Sequence, residues 1–181
     1  AATQTLLWVD IDGRLLHRLY SDGRHEATNL ETPTSVVVPT INGDLLAVSG
    51  LSIGVLANGG NISKPLVKLP TDGDGHANDG RCDPQGRLWI GTVDRSGANL
   101  GGVFCVNDKS VVRRVRAGRA LANGIDWSPD GSKCYHVDSL FRTLDELTLD
   151  AQGLPMSERT IAKFDEMPDG VSVDVEGCIW V

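Results

Sequence analysis

The sequence predicts an all-β chain assembled from one hairpin copied at nearly constant spacing. Three observations predict it. Apolar runs are short and rich in Val, Ile and Leu, and helical periodicity is absent from them. Turn residues are frequent without being low-complexity, since Gly and Pro together make 29 of 181 residues (21 and 8). Finally, one pattern recurs: a polar residue, an apolar strand, a turn ending in Gly, and a second strand with large side chains.

The copies are residues 35–49 (SVVVPTINGDLLAVS), 78–92 (NDGRCDPQGRLWIGT), 123–137 (NGIDWSPDGSKCYHV) and 169–181 (DGVSVDVEGCIWV). Their turn glycines, Gly43, Gly86, Gly131 and Gly177, are 43, 45 and 46 residues apart. Each supplies the positive-φ position that a short hairpin needs. A partial copy opens the chain, with residues 6–9 as a second strand and residues 14–20 following the Asp12-Gly13 turn. Further short strands are expected at residues 54–56, 66–69, 103–106, 111–115, 144–149 and 160–164. A repeat of about 45 residues with about four strands has the length of one β-propeller blade. A β-sandwich gives evenly spaced strands but not this recurrence of one hairpin. About four blades are present. Residues 1–181 are therefore expected to form a single partial β-propeller domain, cut at both ends, because the chain stops at residues 179–181 inside a strand and a ring must close to remove its edges.

Composition narrows the partners. The formal charge is −7, from 17 basic and 24 acidic residues, and no basic cluster exceeds Arg113-Arg114 with Arg116 and Arg119 behind it. A phosphate-backbone partner is not expected. No apolar run approaches the ~20 residues that cross a bilayer, and no basic-then-apolar leader opens the chain. Cys82, Cys105, Cys134 and Cys178 are separated by 23, 29 and 44 residues, without a Cys-x-x-Cys motif. Buried free thiols and a soluble, cytoplasmic protein are the expectation. Oligomeric state is not legible.

Eight residues before each turn glycine stand Ser35, Asn78, Asn123 and Asp169. Repeat-equivalent residues of a propeller lie on a ring, and the start of the innermost strand borders the central channel. Two amides and a carboxylate are oxygen donors of the kind a hard divalent cation takes, and no His or Cys marks a tetrahedral zinc site. Taken singly, Asn123-Gly124 and Asp169-Gly170 read as turn formers far more readily than as ligands. Their shared offset in three modules favours a common site, whereas Ser35 is read as capping its strand. His76, two residues before Asn78, can reach the same cavity or belong to a loop. Asp79, Asp83, Asp126 and Asp174 are read as acceptors for turn N–H groups, and Trp8, Trp89, Trp127 and Trp180 as core between blades. His17, His25 and His136 show no partner pattern. Acyl-serine, phosphate-loop and dinucleotide motifs are absent.

Residues 6–12 (LLWVDID), 78–92, 122–128 (ANGIDWS), 135–139 (YHVDS) and 168–181 (PDGVSVDVEGCIWV) resemble the regucalcin family, also called the senescence-marker-protein, gluconolactonase and luciferin-regenerating-enzyme-like family. The resemblance implies six blades in the intact protein, one divalent metal ion (Ca, Zn, Mg or Mn) at the channel, and hydrolysis of a small-molecule sugar lactone. It makes Asn123 and Asp169 metal ligands, Asp169 also the general base, and Asn78 a substrate contact. His76 stands where family members often carry an Arg that holds sugar hydroxyls. A further Glu ligand, in a Glu-Gly-Pro stretch, is expected upstream of the residues present. Two alternatives stay open. One is a calcium-dependent esterase or phosphotriesterase on a similar propeller, for which His76 would serve. The other is a non-catalytic binding propeller, although the His and Trp-Asp signature of WD repeats is missing.

Overall fold

A computed structural model describes residues 4–57, 60–71 and 75–181. Among these residues every regular element is a strand. The strands are β1 (Thr5–Asp10), β2 (Leu15–Tyr20), β3 (His25–Asn29), β4 (Thr34–Pro39), β5 (Leu45–Ser49), β6 (Ser52–Leu56), β7 (Ile62–Lys68), β8 (Gly75–Cys82) and β9 (Leu88–Asp94). They continue as β10 (Gly101–Val106), β11 (Val112–Arg119), β12 (Ala122–Trp127), β13 (Lys133–Asp138), β14 (Thr143–Leu149), β15 (Pro155–Lys163), β16 (Ser172–Val173) and β17 (Ile179–Trp180). The chain folds as two compact units, Ala1–Leu69 and Pro70–Val181. The first contains a three-stranded sheet, β1-β2-β3, and a four-stranded one, β4-β5-β6-β7. The second contains two four-stranded sheets, β8 to β11 and β12 to β15, and the pair β16-β17. Each four-stranded sheet is an antiparallel meander with its strands in chain order, the unit of a propeller blade.

The expected hairpins are β4-β5, β8-β9, β12-β13 and β16-β17. Their turns are copies of one another. The N–H groups of Gly43, Gly86, Gly131 and Gly177 donate to the carbonyls of Thr40, Asp83, Ser128 and Asp174 at 2.8–3.1 Å. All four glycines have φ between 68° and 87°, where a side chain would be strained. Strand β3 is an addition to the sequence reading. It has few apolar residues (HEATN) and is exposed, so no hydrophobic pattern marks it.

Four expectations need correction. Trp89 and Trp127 are core residues, meeting edge-to-face at 5.6 Å, but Trp8 and Trp180 are exposed. Trp8 lies on the outer face of β1 and stacks on His17 and His25, whose Nδ1 and Nε2 are 3.0 Å apart. Those two histidines therefore do have partners. Cys105 and Cys134 are buried, and burial pushes the Cys105 thiol up to about 11, but Cys82 and Cys178 sit at exposed strand ends. His136, without a pattern in the sequence, is fully buried in β13.

His136 belongs to a polar cluster inside the second unit. The buried guanidinium of Arg116 (β11) meets His136 Nδ1 at 2.8 Å, and donates to Asp145 Oδ2 (β14) at 3.0 Å and Glu158 Oε2 (β15) at 2.8 Å. Thr160 and Arg119 also donate to Asp145, at 2.7 and 3.3 Å. Strand β11 of one sheet is thus tied to three strands of the next. Burial, reinforced by the positive charges of Arg116 and Arg119, holds His136 well below its ordinary pKa of 6.5. It is therefore neutral in the folded protein.

Two outcomes follow from this packing. Asp83, itself buried, accepts from the N–H groups of Gln85 and Arg87 at 3.0 and 2.8 Å and from the buried Trp89 indole at 2.8 Å. Asp83→Ala strands that indole N–H and should cost about 1–3 kcal/mol in chemical denaturation. Asp174 makes the same bonds around the exposed Trp180, so Asp174→Ala should cost less. Separately, the stability that His136 contributes is complete above pH 6.5 and is lost as pH falls below it, because only the unfolded chain takes up the proton there. Melting curves from pH 7 to 5 should show a smaller acid slope in His136→Gln than in the unsubstituted protein.

Candidate functional site

Strand alternation places successive side chains on opposite faces of a sheet, but the repeat-equivalent polar residues escape that rule. In β4, Thr34 faces Ser49 while Val36 faces Val48. Ala77 of β8 faces Thr92 while Gly80 faces Ile90, and Ala122 of β12 faces Asp138 while Ile125 faces His136. Each first strand thus carries one extra residue at the same place, a β-bulge of the kind that re-aims side chains. The bulges contain Ser35, Asn78-Asp79 and Asn123-Gly124. Glycines inside two of these strands, Gly80 and Gly124, are the sequence signal for them.

Within the second unit the bulged segments are linked in series. Asn78 is half-buried, and its Nδ2 donates to the carbonyl of Ala122, the residue before Asn123, at 3.2 Å. Gly124, the residue after Asn123, donates its N–H to the Asp169 carbonyl at 2.9 Å. No side chain fits at Gly124, where a Cβ would lie 2.4 Å from Val171 N and 2.7 Å from Asp169 O. Asp126, read from sequence as a turn acceptor, instead ties strands together. Its Oδ2 accepts from Val173 N at 2.8 Å and pairs with Arg81 at 3.0 Å. These bonds hold residues 169–173 against β12.

Asp169 is held by its main chain, and the residue is exposed. Asn123 is half-buried, and its Nδ2 donates to Ser139 Oγ at 3.0 Å. Asp79, half-buried beside Asn78, has its carboxyl pushed above the usual 3.8, first by burial and then by the negative charge of Asp169, against the pull of the Gly80 N–H. Carboxylate and amide oxygens are the donor types that a hard divalent cation takes. Among the described residues no three His, Cys, Asp or Glu side chains gather as a metal cluster.

The remaining candidates are placed as follows. His76 is half-buried on β8 and pairs in register with Val93. Ser35 belongs to the first unit, where its hydroxyl donates to Val48 O at 3.4 Å. Asp79, read from sequence as a turn acceptor, accepts from the Gly80 N–H at 2.7 Å. The partner missed from sequence is Ser139, which lies on the return side of the hairpin, 16 residues from Asn123.

Known proteins resemble this chain in sequence and in fold. The chain is 31% identical over 184 residues to the 6-deoxy-6-sulfogluconolactonase of Pseudomonas putida, an alignment covering 98% of the chain and 63% of that enzyme. A solved luciferin-regenerating enzyme superposes with a TM-score of 0.88 at 28% identity, covering 98% of this chain and 64% of that one. A calcium-binding regucalcin from Agrobacterium tumefaciens gives a TM-score of 0.87 at 29% identity, with 99% and 63% covered. These neighbours are β-propellers, the fold read here from the recurring hairpin. The chain spans 63–67% of the length of the first curated relatives it matches. The family profile of the SMP-30/Gluconolactonase/LRE-like region matches residues 1–181 in full, and the chain belongs to that family.

Proposed function

We propose that the intact protein is a divalent-metal-dependent hydrolase that opens a sugar lactone. The observation that carries this reading is the bond from Gly124 N–H to the Asp169 carbonyl, which brings Asn123 and Asp169 to one place through the backbone. Membership of a family that includes lactonases supports the substrate class.

In this reading Asn123 and Asp169 hold the cation through side-chain oxygens. The chemistry supplied by a bound divalent ion is Lewis acidity toward the lactone carbonyl and a lowered pKa for a neighbouring water. Asp169 takes the proton from the attacking water in this reading. Asn78 and His76, on the adjoining strand, contact the sugar hydroxyls. Neutral amides keep the site's negative charge low, so the cation's charge is retained for the substrate. The ion is one of Ca²⁺, Mg²⁺, Mn²⁺ or Zn²⁺, since oxygen donors accommodate all four.

Asp169→Ala should abolish lactone hydrolysis and weaken metal binding. It should leave the melting temperature of the metal-free protein nearly unchanged, because the bond to Gly124 uses the Asp169 carbonyl. The assay is acid release from a panel of sugar lactones beside a simple aryl ester, with and without chelator. Chelator-sensitive lactone turnover supports the proposal. Turnover retained in Asp169→Ala, or turnover of the ester alone, overturns it.

A further inference from the structure

We infer that Ser139 is a positioning residue that holds the Asn123 side chain in place for a cation. The inference rests on the metal-site reading above. Ser139 is only 3% exposed, and its Oγ lies 3.0 Å from Asn123 Nδ2, which donates to it. An asparagine amide carries an oxygen on one side and an NH₂ on the other, and a turn of 180° exchanges them. A hard cation accepts only the oxygen. In the observed bond the NH₂ is turned to the buried hydroxyl, so the amide oxygen is the atom left for a cation.

The backbone that carries the hydroxyl is itself held firmly. The Ser139 N–H donates to Leu121 O at 3.0 Å. The fully buried carboxylate of Asp138 accepts from Ala120 N at 3.0 Å, Leu121 N at 3.3 Å and Phe141 N at 3.1 Å. Residues 138–139 thus grip 120–123 directly beside the bulge. Ser139 is a third element of the site, acting through Asn123 and not on the substrate.

Ca²⁺ and Mn²⁺, each titrated alone into the metal-free intact protein by calorimetry, provide the test. Ser139→Ala should weaken affinity roughly 10–100-fold, the usual loss when a residue supporting a ligand is removed. The same substitution in an Asn123→Ala background should cost nothing further, which a general structural role would not reproduce. Ser139→Cys, close in size but a weak acceptor, should lose affinity too, and it keeps the test open if the alanine variant does not fold. Unchanged affinity in both Ser139 variants, or equal loss in both backgrounds, overturns this inference and leaves the metal-site reading intact. No binding by the unsubstituted intact protein, or unchanged affinity in Asn123→Ala, overturns that reading and this inference with it.

Discussion

The second unit depends on a close backbone approach that leaves no room for a side chain. Gly124 presses its N–H onto the carbonyl of Asp169, and any Cβ there would collide with residues 169–171. Because the contact is main chain to main chain, its geometry does not depend on which side chain position 169 carries. Asp126 secures the same segment lower down, giving one carboxylate oxygen to Val173 N and to Arg81. Architecture and chemistry are separated at this point. Main-chain bonds and a buried carboxylate set the spacing, and neither draws on the Asp169 side chain.

A second constraint acts between sheets. Arg116 crosses from β11 to strands of the following sheet and meets His136, Asp145 and Glu158. Each buried charge in the cluster has an opposite charge or a polar partner, as an interior of low dielectric demands. Removing one member leaves others uncompensated in the interior.

Much of the fold was legible because its signals are local. Four glycines at nearly equal spacing mark hairpins whose turns prove identical in hydrogen bonding and in φ. The offset from those glycines also located Asn78, Asn123 and Asp169 on adjoining segments of the second unit. What was not legible depends on pairing between distant residues. Ser139 is joined to Asn123 by the return of the chain through a hairpin, and no spacing announces it. Asp126 looks like other turn aspartates in sequence but bonds a strand 47 residues away. Trp8 and Trp180 share a residue type with Trp89 and Trp127, yet exposure separates them, since it is set by what covers each sheet face. His17 and His25 find each other across β2 and β3, and β3 carries no apolar pattern to reveal its pairing.

The bulges in β4, β8 and β12 have an evolutionary consequence. A residue that belongs to the ladder must match the volume of its neighbours, so a duplicated module can change there only in step with its core. The inserted residue is exempt from that matching. Each module therefore keeps one address where drift between serine, asparagine and other small polar types is tolerated. Copies of a single ancestral hairpin could diverge in chemistry at Ser35, Asn78 and Asn123 while their interiors stayed interchangeable.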